Sequence, residues 1–164
     1  MSLKEIVREM NRTMFMHRYV IHKTASASGL YYGQPPILEY LMENGECTQT
    51  CLAEFLHVSP ASVAVSIKRM QKSGLVKKVA DEGDLRCNRI SITPTGKGLI
   101  SDFRKECDSV DKQLFAGFSD EDIAQFRSYL ERLRGNISDL ASPEEAINYF
   151  SRVSEKKPKE DNAE

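Results

Sequence analysis

Positively charged side chains are concentrated in one stretch of this 164-residue chain. Positions 68–89 hold seven basic and three acidic residues, a local net charge of +4. The seven are Lys68, Arg69, Lys72, Lys77, Lys78, Arg86 and Arg89. Cationic groups clustered in this way suit contact with a polyanion, whose charges they neutralise. Composition alone leaves open the alternative of an ordinary solvated helix face.

A run of small side chains directly precedes the basic stretch. Ser59 and Pro60 are typical of a helix N-cap and first helical position. On the outer face of such a helix, small side chains permit close approach to DNA base edges, where hydroxyls hydrogen bond and Ala or Val contacts thymine methyl groups. The candidate DNA-binding residues of this helix are Ser59, Pro60, Ala61, Ser62, Ala64, Val65, Lys68, Arg69 and Lys72.

The elements around this helix have a recognisable order. A preceding helix is predicted from the N-cap Thr48 to Leu56, with a very short turn after it. Two alternating strands, 75–79 and 89–93, follow the basic helix and enclose a polar loop. Helix, short turn, helix and hairpin are the parts of a helix-turn-helix with a wing, whose second helix enters the DNA major groove.

The predicted wing supplies three more candidate residues: Asp84 and Arg86 in the loop between the two strands, and Arg89 where the second strand begins. An arginine that protrudes from such a loop suits a narrow minor groove, where the negative potential is enhanced. Asp84 is placed to orient the Arg86 guanidinium by a charge-assisted hydrogen bond. A solvated wing edge without a nucleic-acid partner is the alternative.

Apolar seams at helical spacing lie on both sides of this central part, at 3–21, 100–114 and 123–140. They exceed what a winged domain of about seventy residues can cover, and one winged domain contacts too little DNA for tight specific binding. Two copies related by a two-fold axis bury the seams and hold two recognition helices about 34 Å apart. An intramolecular bundle is the alternative.

The expected organisation is a dimerisation helix over 1–29, a DNA-binding domain over 30–97, dimerisation helices over 98–153 and a disordered tail over 154–164. The first helix is predicted to begin with a capping box between Ser2 and Glu5 and to run to about Lys23. The segment 94–96 is expected to break the chain before the helices that follow.

Other function classes find little support. The chain has 40% hydrophobic and 29% charged residues, a net charge of −1 and no apolar run long enough to span a bilayer. No secretory signal is visible, and Cys47, Cys51, Cys87 and Cys107 are expected to be free thiols in a reducing cytoplasm. No nucleotide-binding or catalytic motif appears, and the three histidines lack metal-ligand spacing, so we expect neither an enzyme, a cofactor nor a metal site.

Residues from about 30 to 100 resemble the MarR (multiple antibiotic resistance regulator) family. The matching segments are 34–41, 48–56, 59–70, 72–76, Asp84-Leu85-Arg86 and Ile90-Ser-Ile-Thr-Pro-Thr-Gly96. The resemblance implies a winged helix-turn-helix, terminal helices that form a homodimer, and DNA binding that a small molecule releases. It also implies an inter-lobe crevice for that molecule, for which Arg18, Tyr31 and Tyr32 are candidate lining residues; a structural role for all three is the favoured alternative. Val65 stands where many members carry a polar or basic residue.

The sequence therefore predicts a mainly α protein with a small two-stranded wing and N- and C-terminal dimerisation helices. Its predicted function is that of a cytoplasmic, homodimeric regulator that binds double-stranded DNA at a near-palindromic operator. Such families contain repressors more often than activators, and no membrane partner is expected. Two alternatives stay open: a winged-helix module that docks an acidic protein, and a regulator that senses oxidants through a thiol.

Overall fold

A computed structural model describes residues 2–31, 33–80, 88–147 and 149 of the chain. Its helices are α1 (Leu3–Ala27), α2 (Gln34–Asn44), α3 (Gln49–Leu56), α4 (Pro60–Lys72), α5 (Pro94–Leu114) and α6 (Asp120–Ile137). Its strands are β1 (Cys47–Thr48), β2 (Val76–Ala80) and β3 (Asn88–Ile92). Residues 143–147 are also helical. The predicted mainly α architecture with a small wing is confirmed; the predicted tail over 154–164 lies outside the described residues.

Helix starts follow the local sequence closely. The Ser2 hydroxyl accepts the Glu5 N–H and the Glu5 carboxylate accepts the Ser2 N–H, which completes the predicted capping box. Thr48 and Ser59 cap α3 and α4 in the same way, through their hydroxyl oxygens. These bonds join residues three positions apart, so each needs no distant partner to form.

The end of α1 and the start of α5 differ from the sequence predictions. Helix α1 continues past Lys23 to Ala27, because Ala25 is buried in the core. The segment 94–96 is the first turn of α5 and not a break, since Pro94 occupies a position where no backbone N–H is needed. The Thr93 hydroxyl caps this turn, accepting the Gly96 N–H at 3.1 Å and donating to the Gly74 carbonyl at 2.6 Å.

The wing sheet has three antiparallel strands in the order β1-β3-β2. The two strands of the predicted hairpin are present, with Val76 opposite Ile92 and Ala80 opposite Asn88. Strand β1 was not predicted, because two residues are too few to show a period. It forms where Cys47 pairs with Ile90, 43 positions further along the chain, and so connects the wing to the start of α3.

One core joins α2, α3, α4, the sheet and the first half of α5. It includes Leu38, Leu52, Ile67, Ile90 and Ile100, each fully shielded from solvent. Among the described residues, no single helix is long and apolar enough to cross a membrane. Only α3 and α4 taken together would be long and apolar enough, and the chain bends by 115° between them.

Candidate DNA-binding surface

Helices α3 and α4 form the predicted helix-turn-helix. Three residues separate them, and the 115° bend is in the range of this motif. His57 ends α3 in the left-handed conformation, with φ of +52°, and the Val58 N–H bonds back to the Ala53 carbonyl at 3.1 Å. The turn is therefore closed by backbone hydrogen bonds, which hold α4 across the end of α3.

Helix α4 has one buried face and one exposed face. Val63, Ile67 and Met70 are at most 1% exposed and anchor the helix in the core. Most of the predicted DNA-binding residues lie on the other side: Pro60, Ala61, Ser62, Val65, Lys68, Arg69 and Lys72 are exposed, and Ser59 and Ala64 are half-buried. Small side chains at the start and cations towards the end suit base edges and phosphates respectively.

Ser59 has a structural task at the start of α4. Its hydroxyl oxygen accepts the Ser62 N–H at 3.2 Å and lies 2.9 Å from the Ser62 hydroxyl. The residue thereby shapes the helix end, whose remaining N–H groups favour an approaching phosphate.

An open cleft of about 590 Å³ lies beside the end of α4. Arg69, Lys72, Ser73 and Tyr31 line it. Tyr31 was one of three residues predicted to line a crevice; Arg18 is not among the described lining residues, and Tyr32 lies outside the described part. Two cations beside a phenol ring suit either a small anion or a DNA phosphate.

The wing residues are only partly described. Asp84 and Arg86 lie in 81–87, outside the described residues, so their minor-groove role stays a prediction. Arg89, predicted where the second strand begins, lies in β3 opposite Thr48 and Val79. Its Nη2 atom donates to the Glu46 carbonyl at 2.9 Å, so Arg89 fastens the segment before β1 to the sheet.

Two of the described thiols, Cys47 and Cys107, are poorly suited to an oxidant switch. Burial, followed by the neighbouring Cys51, raises the pKa of the Cys47 thiol to about 11. Burial, followed by the nearby Asp111, also raises the pKa of Cys107. Cys51 lies with its Sγ 3.0 Å from the Tyr40 hydroxyl, and Cys87 is outside the described residues. A raised pKa leaves less thiolate, the form that reacts with oxidants.

Alkylation of Cys47 is therefore expected to be slow in the folded protein. A pKa raised from 9.0 to about 11 lowers the thiolate fraction near pH 7.5 by about 100-fold. We expect iodoacetamide to label Cys47 at least about 100-fold more slowly in the native protein than in urea, as measured by peptide mass spectrometry. Equal rates in both states would show that the fold does not suppress this thiol.

Metal-ligating side chains are dispersed in the described part of the chain. No group of three or more His, Cys, Asp or Glu side chains converges there. His17, on the apolar seam of α1, instead has its Nε2 atom 2.8 Å from Asp111 Oδ1 on α5. The contact joins two helices, which is a structural role.

Comparisons with known proteins agree with this geometry. A sequence model of the MarR family matches residues 28–86. The uncharacterized HTH-type transcriptional regulator YsmB of Bacillus subtilis is 32% identical over 97 residues, which cover 59% of this chain and 66% of YsmB. The chain thus spans about two thirds of that relative.

Solved structures share the fold over most of the chain. A point mutant of MepR from S. aureus has a TM-score of 0.73 at 19% identity, over 84% of this chain and 99% of that one. BpsR of Bordetella bronchiseptica, whose DNA binding is regulated by 6-hydroxynicotinic acid, has a TM-score of 0.60 at 20% identity, over 80% and 92%. These solved structures show the shared fold. The family model and YsmB, with the helix-turn-helix and wing, show that the chain belongs to the MarR family of winged helix-turn-helix transcriptional regulators.

Proposed function

We propose that the protein is a homodimeric transcriptional regulator, and more specifically a repressor, that binds a near-palindromic operator. The proposal rests on the exposed side of α4. This side has small residues in its first turns and the cations Lys68, Arg69 and Lys72 further along. Because the proposed partner is chromosomal DNA, we place the protein in the cytoplasm and assign it no enzymatic role.

The homodimer is supported by the apolar surface of the terminal helices. Helix α6 has no buried residue, and large apolar side chains are exposed along α1 and α6. Those on the predicted apolar seams are Leu3, Val7, Met10, Met14, Ile123, Phe126, Leu130, Leu133 and Ile137. Exposed apolar stripes along two helices mark an interaction site, and a second copy covers them by two-fold symmetry. The predicted dimerisation segments 1–29 and 98–153 contain these helices.

Control by a small molecule is the remaining part of the proposal. The related BpsR is regulated in this way, and the cleft beside α4 lies where a bound anion competes with DNA for the same cations. Because Arg69 and Lys72 belong to both surfaces, occupation of the cleft and DNA binding are expected to oppose each other.

Operator binding is tested by titrating the dimer against genomic fragments, including the region upstream of its own gene, at two salt concentrations. Selective retention of one near-palindromic fragment, with affinity that falls steeply with salt, is the expected result. Equal and weak binding to every fragment would contradict the proposal. It would favour the alternative winged-helix module, whose basic face docks an acidic protein.

Lys72→Ala is expected to weaken binding to all fragments by a similar factor. If Lys72 of each protomer neutralises one phosphate, the dimer loses two phosphate contacts and the slope of log affinity against log salt falls by about 2. Lys112→Ala on α5 removes the same charge away from α4 and is the matched control. A salt slope equal to that of the wild type in Lys72→Ala would place this residue outside the DNA contact.

A further inference from the structure

Helix α5 joins the DNA-reading part of the chain to the terminal helices. It begins at Pro94 directly after β3, and Ile100 and Phe103 in its first half are buried in the core. Its second half runs to Leu114 and leads to α6. In a dimer held by the terminal helices, the orientation of α5 against the winged part decides where each α4 lies.

Arg104 connects α5 to the winged part at the middle of this helix. Its Nε atom lies 3.5 Å from Glu39 Oε1, and its Nη2 atom donates to Glu43 Oε1. The two glutamates are one turn apart on α2, so a single guanidinium spans both. The Arg104 side chain is 32% exposed, which leaves the ion pairs partly shielded from water.

Helix α2 is itself fixed to the DNA-reading elements. Ile37, Leu38 and Leu41 are at most 1% exposed and pack in the same core as α3 and α4. Because packed cores transmit displacement and do not absorb it, a rotation of α2 against α5 moves α4 as well. On the other side, the His17–Asp111 contact and the bond from the Ser28 hydroxyl to Glu106 join α5 to α1.

We propose that Arg104 is a positioning residue for operator recognition. By holding Glu39 and Glu43 it sets the angle between α5 and the winged part, and thereby the half-site spacing that the dimer accepts. The inference rests on the proposed function, since it concerns how the dimer matches its operator.

The contact of Arg104 with Glu39 and Glu43 is better suited to fixing the orientation of α5 than to stabilising the fold. A partly exposed ion pair contributes little to the free energy of unfolding. A planar guanidinium held by two carboxylates, however, restricts the rotation of one helix against the other, because its donors point in fixed directions. Because Ile100 and Phe103 hold only the first half of α5 in the core, removal of Arg104 is expected to broaden the range of orientations of its second half and to leave the fold intact.

The test uses the fragment retained in the genomic titration, remade as duplexes whose half-site separation changes in steps of one base pair. Each step rotates one half-site by about 35° around the DNA axis, so a rigid dimer must discriminate among them. We expect the wild type to prefer one separation by about 10-fold or more, and Arg104→Ala to flatten this preference to about 3-fold or less. Lys105→Ala is the control, because Lys105 pairs with Asp102 on the same helix.

Exchanging the two charges between α5 and α2 distinguishes a positioning role of Arg104 from a general loss of structure in its variants. Arg104→Glu combined with Glu43→Arg restores an ion pair between α5 and α2 and should recover the spacing preference, which Arg104→Glu alone should lose. Dimer mass by sedimentation and affinity for a single half-site are expected to stay unchanged in Arg104→Ala.

Two results would overturn the inference. One is a wild-type spacing profile in Arg104→Ala, and the other is an equal loss of affinity at every separation. Failure of the wild type to bind any duplex is a different result, because it contradicts the proposed function itself and appears before any variant is compared.

Discussion

Replacing Leu130 and Leu133 by Glu should convert the protein to a monomer and reduce operator affinity at least about 100-fold. Both side chains are more than two-fifths exposed on α6, a helix with no buried residue, so nothing in a single described chain covers them. Charges placed in a dimer interface lose hydration without gaining a partner, which disfavours association strongly. A monomer offers one recognition helix and one wing, too small a contact for tight specific binding.

The matched control changes the polar side of the same helix. Ser128→Glu combined with Arg132→Gln alters the net charge by the same amount as the two leucine replacements, at exposed positions off the apolar seam. Sedimentation velocity at micromolar concentration measures the mass, and fragment titration measures the affinity. A leucine double variant that remains a dimer with full affinity would rule out α6 as the dimer interface.

Gly96→Ala is expected to lower the free energy of unfolding by about 3 kcal/mol. A methyl group at this position lies 2.2 Å from the Leu75 carbonyl oxygen and 2.9 Å from Ile92 Cγ1. The carbonyl cannot withdraw easily, because it accepts a hydrogen bond from the Thr93 N–H at 3.0 Å. The close approach of α5 to the chain between α4 and β2 therefore requires glycine.

Gly98→Ala, two positions along the same helix, is the control for this prediction. No atom lies within 4 Å of a methyl group there, so the ordinary preference of helices for alanine applies. We expect this change to raise the free energy of unfolding by about 0.5–1 kcal/mol in urea titrations. If both variants were stabilised alike, the packing of α5 at Gly96 would be looser than described.

Local chemistry explains why so much of the fold is visible in the sequence. The capping residues Ser2, Thr48 and Ser59 act on groups three positions away, and the stripe of Val63, Ile67 and Met70 repeats at the helical period. Such signals need no distant partner. The helix-turn-helix, and with it most of the candidate DNA-binding surface, could therefore be predicted from the residues in order.

Contacts between distant parts of the chain could not be predicted in this way. Arg89 was predicted as a DNA-binding cation at the start of a strand, and its bond to Glu46, 43 positions earlier, was not foreseen. Arg104 likewise contacts Glu43, 61 positions earlier. Gly96 reads as a break, but the approach of Leu75 makes it part of a packed helix. The contacts of long side chains and short strands depend on which distant groups the fold brings near them, so local sequence does not predict them.

Several helix caps, the helix-turn-helix order and the cations of α4 could be predicted from the residues in order, because each rests on interactions within a few residues or on composition. Only the folded structure shows that Cys47 pairs with Ile90 as a third strand, that the Arg89 guanidinium bonds to the Glu46 carbonyl, and that Arg104 spans two glutamates. These features depend on the positions of groups far apart in the chain, which only the packing of the core specifies.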